Sequence, residues 1–326
     1  MREEILYEMH SIYRDDFRVR GYRFGTGEHT LCVVGSMRGN EFQQLYCASL
    51  LVRRLSELED EGMLKEGQEI LVIPSVNPAS MNIQKRFWAI DNTDINRMWP
   101  GYKEGETTQR IAGYVFDSIK DFQYGIQFAS FYMEGRFVPH VRIMKTGYED
   151  PVLATDFAMP YVVIHEPRPF DTTTLNYNWQ IWEAKAFSIY TTRTSSIDNV
   201  SAEEAVNSIL TFMARHDMIE ATALDSHRSY SSRIISRSAL ATVRSHESGF
   251  FESLRDPYEH VEKGEVIARI RDPYDNHIRC EITSPVAGRT FFVHGGVLTY
   301  SNTAVFKIVP DFLRGTRRDG YKVLIP

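Results

Sequence analysis

Cysteine is scarce. The three residues Cys32, Cys47 and Cys280 include no CxxC pair, which excludes a disulfide framework and a cysteine-ligated zinc site. There is no cationic excess either. Lys and Arg total 37 against 43 Asp and Glu, a net charge of −6, whereas a nucleic-acid footprint needs a clustered basic surplus. No apolar run approaches the roughly 20 residues of a membrane span, and Met1-Arg2-Glu3-Glu4-Ile5-Leu6 lacks the apolar core of a signal peptide. The expectation is a cytoplasmic protein with neither nucleic-acid nor membrane partners. Common catalytic signatures are also missing: no GxSxG, no P-loop, and at Gly25-Thr26-Gly27 no strand-linked GxGxxG. Cys47 falls inside a predicted helix without an evident histidine partner, which sets thiol chemistry aside.

What is present is an ordinary globular composition, 43% hydrophobic and 25% charged over 326 residues, enough for one large or two medium domains. Leu31 to Gly35 and Ile70 to Ile73 read as short buried strands. A helix is predicted from about Glu41 to Glu61, with Leu51, Leu55 and Leu58 on one side. Another spans Thr107 to Lys120 through Ile111, Val115 and Ile119. Further inner strands are predicted at Tyr124 to Ala129, Tyr161 to Ile164 and Ala186 to Tyr190. Ser201-Ala202-Glu203-Glu204 reads as a capping box opening a helix to about Arg215. Strands alternating with helices predict an α/β fold, a mostly parallel mixed sheet flanked by helices over residues 1–225. Ligands in such folds gather at the C-terminal strand ends, here the residues after Val34, Ile73, Ile126 and Ile189. From residue 226 to 326 short strands alternate with turns, predicting a smaller all-β domain.

The stretch from Asn77 to Gly101 has no regular apolar spacing, and a segment of about 25 such residues inside a domain is usually functional or disordered. Its aromatics, prolines and two arginines mark it as an ordered binding loop. Asn77-Pro78, Arg86, Asp91 and Asp94-Ile95-Asn96-Arg97-Met98-Trp99-Pro100-Gly101 resemble the substrate-loop signature of the succinylglutamate desuccinylase/aspartoacylase family. That resemblance implies a zinc-carboxypeptidase-like α/β fold and zinc-dependent hydrolysis of the amide of N-acyl amino acids. It implies that Asn96 and Arg97 grip a substrate carboxylate while Arg86 faces the reacting carbonyl, a task suited to the paired donors of a guanidinium. The β-rich C-terminal part resembles the family's barrel-sandwich domain, itself similar to biotinyl/lipoyl carriers. The predicted tip Tyr274-Asp275-Asn276-His277 has no lysine, so covalent cofactor attachment is rejected in favour of a lid or a surface for a homo-oligomer.

A catalytic zinc needs three protein ligands, an open position and a carboxylate base. Carried over from the family, the first ligand pair falls on Arg38-Gly39-Asn40-Glu41, where Arg38 stands in place of histidine and Glu41 is retained. The second falls on Tyr124 to Ser130, with Gln127 in place of aspartate and Ala129 in place of histidine. Tyr190 stands at the general-base position. Gly135-Arg136 and Pro139-His140-Val141-Arg142 match the family's next turn. A guanidinium keeps its charge near neutral pH, so Arg38 is expected to pair with Glu41 and, with Arg86, Arg97 and Arg142, to line an anion-binding pocket. A purely structural ion pair in a disused cleft stays open as the alternative. His29, His140 and His165, with Glu134 and Glu166, show no HxxE, HxxxH or HxH spacing that would rebuild a metal site. The expectation is a catalytically impaired relative that binds a small carboxylate or a peptide C-terminus, with no cofactor and no residue assigned to catalysis. Zinc enters only if other ligands rebuild its site. The alternative is an active N-acyl amino acid deacylase with a rearranged metal centre.

Overall fold

The computed structural model describes residues 1–12, 15–224, 230–318 and 321–325. They form two compact units, Met1–Ser130 with His140–Ser232 and Phe131–Pro139 with Arg233–Pro326. The boundary expected between residues 225 and 226 lies outside the described residues.

The first unit contains β1 (Arg2–Met9), β2 (Phe17–Gly25), β3 (Gly27–Ser36), α1 (Phe42–Asp60), β4 (Gly67–Ser75), α2 (Pro78–Met81), α3 (Thr107–Ile119) and β5 (Tyr124–Ala129). After β6 (Gly135–Phe137), which belongs to the second unit, come β7 (His140–Met144), β8 (Tyr161–His165), α4 (Leu175–Ile181), β9 (Lys185–Tyr190) and α5 (Asn199–Arg215). The strands lie in the order β1-β2-β4-β3-β5-β9-β7-β8. The four central strands, β4, β3, β5 and β9, are mutually parallel, as runs apolar on both faces require. β7 joins β9 antiparallel, and β8 continues parallel to β7.

Alternation along the strands decides what each face meets. Cys32, Val34, Leu71 and Ile73 pack with Ile111, Val115 and Ile119 of α3 in one buried cluster, while α1 packs on β3 and β4 and against α5. α5 opens two residues before the predicted capping box. Asp198 is its cap, accepting the Ser201 N–H at 3.3 Å, while Ser201 Oγ accepts from Gln43 Nε2 at 3.3 Å. The hairpin of β1 and β2 went unread in the sequence because its exposed face is charged rather than apolar. Arg18–Glu8 (2.5 Å), Arg20–Glu3 (2.9 Å) and Arg23–Glu4 pair across it. No described helix is long and apolar enough to cross a membrane.

The second unit contains β6 and β10 (Arg233–Ser236), β11 (Ala241–Arg244), β12 (Gly249–Ser253), β13 (His260–Val261), β14 (Val266–Arg271), β15 (Ile278–Thr283), β16 (Gly288–His294), β17 (Leu298–Thr299), β18 (Ala304–Pro310), β19 (Arg314–Arg318) and β20 (Tyr321–Ile325). One sheet runs β11-β18-β16-β13 with β6 on β16, and another runs β15-β14-β12-β17. Val261, Ile267, Ile270, Ile282, Val293, Phe306 and Ile308 from both share one core.

The excursion Phe131–Pro139 was not foreseen. Phe137 pairs with Phe292 in register, their ring centroids 4.4 Å apart. A Cβ on Gly135 would lie 2.5 Å from the Val293 carbonyl oxygen, so only glycine lets the strands close. A chain ending at residue 232 strips β6 of its partner strand and uncovers Phe137. It is expected to aggregate where the full chain is monodisperse, checked by light scattering after size exclusion; a soluble, folded truncation would contradict the pairing.

Candidate functional site

The site starts where the parallel strands stop. Register places Ser36 beside Ser75, Ala129 beside Tyr190 and Tyr190 beside His140, so the predicted strand ends do share one edge. After β3 the chain turns through Met37 to Asn40, and Glu41 closes the turn. Its Oε2 accepts the N–H groups of Met37 (2.8 Å) and Arg38 (3.1 Å), and its Oε1 accepts from Ser130 Oγ at 2.5 Å. A Cβ on Gly39 would sit 2.3 Å from the Ser80 carbonyl. The turn therefore lies against the binding loop at a distance only glycine tolerates.

Arg38 pairs with Glu41 as the sequence predicts, Nη1 to Oε1 at 2.9 Å. Asp94 is a second partner that sequence reasoning missed. Nε and Nη2 of Arg38 reach its two oxygens at 3.0 and 2.9 Å, a bidentate grip. Arg38 is 4% exposed and Glu41 2%. Burial alone would lower the guanidinium pKa, but the charges of Glu41 and Asp94 outweigh it and raise it.

The loop from Asn77 to Gly101 contains short helical turns. Asn77 caps α2 by accepting the Ser80 N–H at 3.2 Å. Trp88, Ile95 and Trp99 are buried in the core shared with α3. Asp94 caps the turn Ile95–Arg97 and accepts the Asn96 N–H at 3.1 Å. Arg97 bonds the Asn96 carbonyl at 3.0 Å and lies 5.8 Å from the centroid of Phe170. Arg86 lies 5.6 Å from the centroid of Phe87. Burial first, and then the charge of Arg38, lower its pKa against the pull of Glu41 and Asp94. Among the described residues neither Arg86 nor Arg97 forms an ion pair with a carboxylate.

The remaining predicted positions are filled by packing. Gln44 Nε2 donates to the Ala129 carbonyl at 3.2 Å, and Gln127 Nε2 points at Met37 Sδ, 3.5 Å away. Tyr190 is 6% exposed. Its ring is stacked on His140 with centroids 4.8 Å apart, and the Arg142 guanidinium lies 4.3 Å from its centroid. His165 bonds Asp171 at 3.0 Å, and Asp171 also accepts the Arg168 N–H at 3.0 Å. Burial opposes ionisation of Asp171, but these bonds prevail and lower its pKa. His29 stacks on Phe122 and lies 3.3 Å from Glu69, and Glu166 pairs with Lys145 at 3.5 Å. The five candidate groups for a rebuilt metal site thus have other neighbours or, for Glu134, lie in the other unit. Among the described residues, Asp272, Asp275 and His277 form a group of metal-capable side chains in the turn after β14. Asp272 is committed to Arg279 and to the Tyr274 N–H, and Asp275 to His277. At the strand ends a metal would meet Glu41, already accepting from four donors, and the fixed cation of Arg38, whose other edge is held by Asp94.

Residues 28–183 match the family model for the succinylglutamate desuccinylase/aspartoacylase catalytic domain. No curated protein matches the sequence. Among solved structures, the product-bound ectoine utilization protein EutE (DoeB) from Ruegeria pomeroyi is 18% identical with a TM-score of 0.75, covering 94% of each chain. A succinylglutamate desuccinylase from Silicibacter sp. TM1040 is 17% identical with the same score and the same coverage. The succinylglutamate desuccinylase/aspartoacylase from Rhodobacter sphaeroides is 19% identical, with a TM-score of 0.72 over 90% of this chain and 89% of its own. At these identities the likeness establishes the fold, an α/β fold with a large mixed sheet.

Purified without added metal, the protein is expected to carry far less than one zinc per chain, and EDTA is expected to leave its melting temperature unchanged. Elemental analysis with a thermal scan checks this. Stoichiometric zinc whose removal lowers the melting temperature would overturn the reading of Arg38.

Proposed function

We propose, from the membership of residues 28–183 in the succinylglutamate desuccinylase/aspartoacylase family, that this chain binds a small carboxylate, of the N-acyl amino acid or peptide C-terminus class, without metal-assisted hydrolysis. The observation that carries the reading is the buried Arg38 head between Glu41 and Asp94. A divalent ion about 4 Å from that guanidinium would meet about 8 kcal/mol of repulsion at an effective dielectric of about 20, before the carboxylates are counted. The donor set does not fit zinc: Glu41 already accepts from four donors, Ala129 offers no side-chain donor, and among the described residues the strand ends hold no group of three metal-capable side chains. Loss of a general base alone commonly costs about 10²–10⁴ in rate, and a phenol stands at that position in Tyr190.

Binding follows from what the loop leaves unengaged. Arg86 and Arg97 offer planar, paired donors of the geometry a carboxylate accepts, and the buried Asn96 side chain lies beside Arg97. Of the other two arginines expected to line the pocket, Arg38 is held by two carboxylates and Arg142 lies over the Tyr190 ring. The competing reading, an amide hydrolase with a rearranged metal site, draws support from the family match and, among the described residues, from no grouping of metal-capable side chains at the strand ends. A homo-oligomer built on the β-rich unit is compatible with either reading.

Wild-type protein is expected to be thermally stabilised by N-acetylglycine and to leave it intact with or without added zinc. Arg97→Ala is expected to weaken that binding by about 1.5–3 kcal/mol, tenfold to a hundredfold or more, as read by calorimetry. Absence of a shift with a wide panel of carboxylates would remove the binding reading, and zinc-dependent release of acetate would establish the competing one.

A further inference from the structure

We infer that Arg38 is a positioning residue: acting through the Asp94 carboxylate, it holds Asn96 and Arg97 in the orientation that meets the ligand. The path is continuous. Glu41 fixes the Arg38 head from one edge at 2.9 Å. The other edge grips Asp94 at 3.0 and 2.9 Å. Asp94 passes the constraint on through its side chain, which accepts the Asn96 N–H at 3.1 Å, and through its carbonyl, which accepts the Arg97 N–H at 2.8 Å.

The rest of the loop does not supply this constraint. Upstream, Trp88 donates to Thr93 and Asn92 to Trp88; downstream, Trp99 donates to Thr173 at 3.1 Å. Between them the backbone bonds stay within the turn, Arg97 to Asp94 and Met98 to Ile95. Burial of Ile95 fixes how deep the turn sits, but an aliphatic contact does not set its rotation. A bidentate ion pair does, because both carboxylate oxygens are specified at once. Without Arg38, Asp94 would be a partly buried carboxylate with no cation, and its cheapest response is to swing toward water and release the cap. Through Ser130 Oγ on Glu41 the same head also ties the end of β5. One side chain thus joins the turn after β3, the end of β5 and the binding loop.

The inference rests on the carboxylate-binding reading for its ligand measurement and not for its dynamic one. Two variants test it, Asp94→Asn, which keeps size and the acceptor for Asn96, and Arg38→Lys, which keeps charge but loses the paired donors. Each is measured for N-acetylglycine binding by calorimetry, amide hydrogen exchange over residues 86–98 and melting temperature. Both are expected to bind about tenfold more weakly, with faster exchange confined to residues 94–98 and a thermal transition retained. If charge compensation were the whole role, Arg38→Lys would bind like wild type, and that result overturns the inference. If wild type itself fails to bind the probe, the function proposed above fails, and exchange alone decides. Unchanged protection at residues 94–98 in Asp94→Asn then sinks the positioning role, and localised loss supports it. Should Asp94→Asn lose its transition, Arg38→Lys carries the same comparison.

Discussion

A buried guanidinium shared between two carboxylates is the constraint on which the strand-end region depends. Its worth is not chiefly stability. Moving such charges out of water costs several kcal/mol per ion, and their attraction roughly offsets it, so apolar residues of equal volume would serve the fold as well. What the arrangement supplies is geometry, because the penalty for breaking it is steep, about 3–5 kcal/mol for a partner left alone. Arg38 can satisfy its N–H groups only while Glu41 and Asp94 stand where they do. Those two residues belong to segments far apart in the chain, the turn after β3 and the middle of the binding loop. The stability itself comes from the apolar strands and the helices over them, where Cys32, Val34, Leu71 and Ile73 meet α3.

Around this centre, the positions that the family resemblance assigns to a metal site hold groups with neighbours of their own. Ala129 contributes no polar side chain, and its carbonyl is bonded by Gln44. Tyr190 fills its position with an aromatic ring contacted by an imidazole and a guanidinium, contacts that carry packing and cation–π energy. A bare set of histidines and carboxylates without an ion would leave polar atoms stranded at about 1–3 kcal/mol each. Glu41 avoids that cost by accepting from four donors. The residues present are mutually consistent, a buried cation with two counter-charges and a phenol stacked on an imidazole.

The legible part of the sequence was the part governed by short-range pattern. The apolar runs of β3 and β4 and the stripes of α1 and α3 follow from periodicity, and their parallel pairing follows from alternation with helices. The pairing of Arg38 with Glu41 was readable because the two are close in the chain. Asp94 was quoted in the loop motif, yet its bond to Arg38 spans 56 positions, and no local pattern encodes such a contact. The cation–π contact of Arg142 went unread for the same reason, since its partner Tyr190 lies on a neighbouring strand. The hairpin of β1 and β2 escaped because charge pairs rather than apolar alternation mark its outer face. The excursion through β6 escaped because its partner strand lies more than a hundred residues downstream.

A disused cleft and a binding site differ in what they leave unsatisfied. Native proteins leave few buried polar atoms without a partner, and each exception calls for an explanation. On the binding loop, Asn77 Nδ2, Ser80 Oγ and Asn96 Oδ1 are buried with no hydrogen-bond partner among the described residues. Ordered water can satisfy such atoms, so they do not by themselves specify a ligand. Arg86 adds the discriminating feature. It is half-buried, its pKa is pulled down by burial and by Arg38, and no carboxylate pairs with it among the described residues. A neutral water leaves that charge uncompensated. An anion relieves it, and a carboxylate does so while presenting two acceptors to a planar fork. On the carboxylate-binding reading proposed above, the half-buried charge of Arg86 is what a small acid would neutralise.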